Sequence, residues 1–267
     1  MPVHDLTASF GLLEIVSCQH RTCQRVRCLE VVEAWRCRRA DGPVAAFTFQ
    51  LAWAHERYQS VRDLLRCWRV LASKHPRAQL VLTLDPHEYS PEERRALVDL
   101  VRAGRQCGVL NKRAVILRPR RWLVKPVMTA DGPDYFRGGW LELFALLVCQ
   151  RVAARAGPKG MEPVARLKLA VPAGTIAYEL DVVMPLSNGK VLIVEAKSGA
   201  TNGGSAKLVA YGKRSGLDRK YRVLLTAGAQ ETWHDGYVHL GPSAFQRYVS
   251  RLCGLRVNVD LGYACSM

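Results

Sequence analysis

Two apolar rhythms run along this chain. From residue 164 onward, short apolar runs of strand length at 164–170, 176–184, 190–196 and 221–226 are separated by turn residues, and 204–216 carries apolar positions at helical spacing. Ahead of them a strongly apolar helix is predicted over 139–156, through Leu143, Phe144, Leu146, Leu147 and Val152, closed by Gly157-Pro158. Nearer the start, the pattern predicts strands at 10–16, 44–51 and 79–84. It also predicts an amphipathic helix over 55–71, with Val61, Leu64, Leu65, Trp68 and Leu71 on one side. Between these halves, Ser90-Pro91-Glu92-Glu93 is an N-cap with proline at the first helical position, opening a helix through Leu97, Val98 and Leu100 to about 105. Residues 109–124 then alternate apolar and basic around Arg118-Pro119-Arg120-Arg121, as a hairpin does. The expected class is α/β, with an α/β domain over 1–88, a winged-helix-like linker over 89–130, and a third part over 131–267 beginning at the loop Ala130-Asp131-Gly132-Pro133.

The most informative residues close one of those strands. Val191-Leu192-Ile193-Val194 reads as buried, and such a strand has no structural need for the acid and base that follow in Glu195-Ala196-Lys197. A further acid, Asp181, lies on the preceding strand, and Ser187-Asn188-Gly189 supplies turn chemistry between the two. A two-residue loop at Asn188-Gly189 would set Asp181 opposite Ala196, on the wrong face. A three-residue loop with Gly189 left-handed sets residue 186 opposite 190 and Asp181 opposite Glu195. Hydrolysis of a phosphodiester calls for this kind of set: carboxylates that hold a hard divalent cation, and a lysine two residues along on the same strand face. Taken alone, Glu-x-Lys on a strand also serves as a solvated charge ladder, and Glu142, in the first turn of the 139–156 helix, also complements a helix dipole.

Composition agrees with a soluble chain that meets a polyanion. Its 267 residues are 49% hydrophobic, with 39 Lys and Arg against 23 Asp and Glu, a net charge of +16. Basic side chains that neutralise phosphates release condensed counterions, so such a balance suits nucleic acid. No segment is long enough to span a bilayer and no secretory signal is seen, so a cytoplasmic location is expected. Among nine cysteines, Cys18, Cys23, Cys28 and Cys37 cluster with His20, but not at the Cys-x2-Cys spacing of a structural zinc site. Free thiols are expected, with Cys149 packed inside its helix.

The order helix, three strands, helix, strand, with Gly138-Gly139-Trp140-Leu141-Glu142, then Glu179-Leu180-Asp181-Val182-Val183, then Val194-Glu195-Ala196-Lys197-Ser198-Gly199, resembles the PD-(D/E)xK nucleases. More narrowly it is similar to the nuclease domain of CRISPR ancillary effectors that cyclic oligoadenylate activates, in which a CARF-type sensor is joined to this nuclease. The resemblance covers roughly 90–226 and is strongest over 135–199. It implies a restriction-endonuclease-like αβββαβ core and a metal-dependent endonuclease acting on DNA or RNA in antiviral defence. It also implies Mg²⁺ or Mn²⁺ as cofactor, a homodimer, and a cyclic oligoadenylate activator. Glu142, Asp181, Glu195 and the Ala196 carbonyl become metal ligands, Lys197 the catalytic lysine, and Glu179 a residue behind the ligands. Lys207 and Tyr211, four apart on the 204–216 helix, become substrate contacts. The family's sensor opens with a glycine-rich loop after its first strand, and Ser17-Cys18-Gln19-His20-Arg21-Thr22 has no glycine. Residues 1–88 are therefore a shortened or diverged sensor, or an unrelated accessory domain. A restriction or repair nuclease outside CRISPR defence, and a nucleic-acid-binding protein without cleavage, are the other readings.

Overall fold

A computed structural model describes residues 30–35, 42–73, 81–127, 129, 132–157, 162–170, 176–199, 204–228 and 230–255. The expected strand at 10–16 and the cysteine and histidine cluster from Cys18 to Cys37 lie outside them. The elements in chain order are β1 (Glu30–Trp35), α1 (Pro43–Arg57), α2 (Gln59–Ser73), β2 (Leu82–Leu84), α3 (Pro91–Gln106), β3 (Val115–Arg118), β4 (Arg121–Val124), α4 (Trp140–Ala156), β5 (Val164–Ala170), β6 (Ile176–Pro185), β7 (Val191–Lys197), α5 (Gly204–Ser215), β8 (Arg222–Thr226), β9 (Thr232–Trp233), β10 (Val238–Leu240) and α6 (Pro242–Leu252). The chain is thus mixed α/β, and it divides into two compact units. One contains the stretch from Ala40 to Phe144; the other contains the stretch from Ala145 to Asp260 together with β1. The division falls inside α4, whereas the sequence places a boundary loop at 130–133.

In the first unit, the stretch 44–51 is helical and not a strand. Val44, Phe47, Thr48 and Phe49 favour strands taken singly. Pro43, however, presets the first helical turn, and Ala45, Ala46, Ala52 and Ala54 lose little entropy in a helix. The buried positions 45, 48, 52 and 55 follow a helical period. Tyr58, extended at φ −116° and ψ 127°, separates α1 from α2, so the single helix expected over 55–71 is two. The expected cap of α3 is present as a full capping box: Ser90 Oγ accepts from the Glu93 N–H, and Glu93 reaches back to the Ser90 N–H. Glu93 also accepts from the Gln59 N–H at 2.8 Å, and the Tyr58 hydroxyl donates to Glu92 at 2.7 Å, so the start of α3 is tied to the start of α2. The expected hairpin is β3 and β4, joined by Pro119-Arg120. Its strand β4 also pairs with β2, giving a three-stranded sheet in the order β2-β4-β3.

The second unit carries a seven-stranded sheet in the order β1-β5-β6-β7-β8-β10-β9. Strands β5, β6 and β7 form an antiparallel meander; α5 then crosses over so that β8 lies parallel to β7. One face packs into a core of Val164, Leu167, Val183, Val191, Ile193, Leu208, Tyr211 and Leu224. Strands β7 and β8 are buried almost throughout, as parallel central strands are.

Candidate active site

The register between β6 and β7 decides whether a site exists. The ladder pairs Val182 with Val194, Val183 with Ile193, Met184 with Leu192 and Pro185 with Val191, and one step further it sets Asp181 opposite Glu195. Its turn is the three-residue form: the Leu186 N–H donates to the Lys190 carbonyl at 2.8 Å, the Gly189 N–H donates to the Leu186 carbonyl at 3.0 Å, and Gly189 has φ +73°. Asn188 Oδ1 accepts from the Lys190 N–H at 3.0 Å, which tightens the loop.

Both acids are buried, Asp181 at 7% exposure and Glu195 at 1%. Buried carboxylates need compensating charge and hydrogen bonds, and each receives both. The Ala196 N–H donates to Asp181 Oδ2 at 2.8 Å. Lys197 Nζ stands 2.6 Å from Glu195 Oε1 and 3.6 Å from Asp181 Oδ2. Lys207, arriving from α5, places its Nζ 2.7 Å from Glu195 Oε2. Asp181, Glu195, Lys197 and Lys207 therefore form a charge-balanced quartet at the end of β7.

Glu142 lies half-buried in the first turn of α4, within the first unit. Among the described residues no group of three or more His, Cys, Asp or Glu side chains is arranged to hold a metal ion, so the carboxylates brought together are Asp181 and Glu195. Tyr211 is 4% exposed and belongs to the core cluster, whereas Lys207 is partly exposed; the i, i+4 spacing does not reveal which of the two is covered. Glu179 is exposed and pairs in register with Lys168.

The structure adds a polar pair that the sequence did not single out. Thr226 sits beside Lys197 in the parallel ladder, and its hydroxyl is 2.8 Å from His239 Nε2. Burial, and then the nearby His234, lower the pKa of His239, so the neutral ring is favoured. A threonine ending one apolar strand and a histidine in a short one carry no motif, so no local signal marked them.

Hard oxygen donors are what Mg²⁺ and Mn²⁺ take. The oxygens of Asp181 and Glu195, next to the Ala196 backbone, are donors of that chemical kind, and the ammonium groups of Lys197 and Lys207 are paired with them here. Among the described residues no helix is long and apolar enough to cross a membrane.

Solved structures match this chain. Can2 from Sulfobacillus thermosulfidooxidans, determined in complex with cyclic tetra-adenylate, matches with a TM-score of 0.55 at 13% identity, over 86% of this chain and 60% of that one. Protein VC1899 from Vibrio cholerae matches with a TM-score of 0.48 at 14% identity, over 86% of this chain and 59% of that one. This chain thus spans about three fifths of the length of either. The likeness to Can2 is one of fold. No family model and no curated protein matches the sequence.

Proposed function

We propose that this chain is a divalent-metal-dependent endonuclease of the PD-(D/E)xK type, hydrolysing phosphodiesters of DNA or RNA in CRISPR-type antiviral defence. The observation that carries the proposal is the meeting of Asp181, Glu195 and Lys197 at one buried point of the β6–β7 ladder. On this reading α4, β5, β6, β7, α5 and β8 are the αβββαβ nuclease core. Asp181, Glu195 and the Ala196 carbonyl would hold the ion. Bound Mg²⁺ or Mn²⁺ supplies Lewis-acid polarisation of the phosphoryl oxygen and a water of lowered pKa. Lys197 offsets the negative charge that builds on the phosphoryl oxygens in the transition state, and Lys207 presents a second ammonium to the phosphodiester. The fold shared with Can2, which was determined with cyclic tetra-adenylate, supports a cyclic oligoadenylate as activator, and the family resemblance supports a homodimer.

The test is incubation of the purified chain with labelled single-stranded and duplex DNA and RNA, in Mg²⁺, Mn²⁺ or EDTA, with and without cyclic oligoadenylates of different ring size. Metal-dependent cleavage raised by one ring size is expected. Absence of cleavage from every combination would overturn the nuclease reading. Cleavage indifferent to every ring size would overturn only the control.

A further inference from the structure

Between Asp99 and Asp131 the chain carries eight lysines and arginines and no acid. The fold concentrates several of these on the β3–β4 hairpin. Arg118 and Arg121 are direct cross-strand partners, with Arg120 in the turn between them, and all three are exposed. Like charges set directly opposite on adjacent strands repel, so this arrangement costs stability unless an anion lies between them. Lys112 and Arg113, in the turn that leads into β3, are exposed as well. Among the described residues no ion pair involves any of these five side chains.

The hairpin under these cations is firmly held. Val115, Trp122 and Val124 are buried on its inner face, Tyr89 stacks on Trp122 with centroids 5.9 Å apart, and β4 is paired on both sides, by β2 and β3. Arg105 of α3 donates to the Val115 carbonyl, tying helix to hairpin. A rigid ribbon that presents unpaired guanidinium groups, with no acid to offset them, is suited to a surface of regularly spaced negative charge.

We infer that this hairpin is a nucleic-acid-binding element that grips the phosphate backbone without reading sequence, in a unit other than the one that carries Asp181 and Glu195. Arginine forks match phosphate oxygens in two-point contacts, and contacts of that kind position a duplex without carrying sequence information. The inference rests on the proposed function only in taking nucleic acid as the ligand; it does not depend on hydrolysis.

The experiment measures binding of the full chain to a fluorescein-labelled DNA duplex by anisotropy, in EDTA, across a salt series. Each phosphate neutralised contributes about 0.9 to the slope of log K against log salt on duplex DNA. Replacing Arg118, Arg120 and Arg121 together by Gln should lower that slope by about 2 to 3 and weaken binding to duplexes of unrelated sequence equally. The same three positions changed to Lys should keep the slope within about 1 of the parent. If the triple Gln variant does not fold, by its circular dichroism, Arg120→Gln alone at the turn should lower the slope by about 1. An unchanged slope and affinity in the Gln variants would overturn the inference. So would polyglutamate displacing the duplex at equal charge concentration, which would point to an acidic protein surface instead. Because no metal is present, loss of cleavage in a separate assay leaves this result untouched, and failure here leaves the carboxylate site untouched.

Discussion

Changing Lys207 to Met tests the quartet most directly, because methionine keeps much of the stem and removes the charge. In the native fold Glu195, at 1% exposure, is held by Lys197 at 2.6 Å and Lys207 at 2.7 Å, one on each oxygen. Stripping a buried charge of all compensation costs about 3–5 kcal/mol. Here Lys197 remains, and the Lys207 side chain is itself 27% exposed, so the loss should approach that of one charge-assisted hydrogen bond, about 1.5–3 kcal/mol. For a protein of this size each kcal/mol moves the thermal midpoint by about 2–4 °C, so the variant should melt about 3–12 °C lower in EDTA. A divalent ion that binds the folded state adds stability by mass action, about 2.7 kcal/mol at a hundredfold excess over Kd. Mn²⁺ should therefore raise both midpoints, and raise the variant's more, since Lys207 no longer competes for Glu195. Calorimetry reads both effects. A midpoint in EDTA within about 1 °C of the parent, roughly the error of such a shift, would refute the ion pair, and indifference to Mn²⁺ in both proteins would refute the metal site.

Glu195→Gln should reduce cleavage by at least on the order of 100-fold while duplex binding in EDTA persists, and Lys197→Ala should do the same; cleavage at the parent rate by either, on gels, would place the chemistry elsewhere. Gly189→Ala forces a side chain into the left-handed region at φ +73°, where a Cβ meets no neighbour, so its cost is the backbone term of about 1–2 kcal/mol, read from a denaturant midpoint. His239 is favoured neutral, so its contribution to stability is full above pH 6.5 and is lost as pH falls through its lowered pKa. His239→Gln should flatten that acid limb of the midpoint against pH, and an identical limb would show that another group titrates there.

Strand limits and register on the β6–β7 hairpin were legible locally, because period-two alternation and a glycine able to turn left-handed leave one register in which two acids share a face. The N-cap at Ser90 was legible for the same reason: the N–H that its side chain caps lies three residues along. Val44, Phe47 and Phe49 misled, because their preference for strands is weak beside Pro43, the run of alanines and the packing of α1 on its neighbours. Long-range pairing had no local mark. The crossover of α5 delivers Lys207 to Glu195 and buries Tyr211, the β7–β8 ladder sets Thr226 beside Lys197, and β2 joins β4 across the boundary expected at 88/89. Contacts within a turn or a hairpin are written in spacing, whereas contacts between elements far apart in sequence depend on which faces pack, and that is settled only when the whole sheet and its helices close.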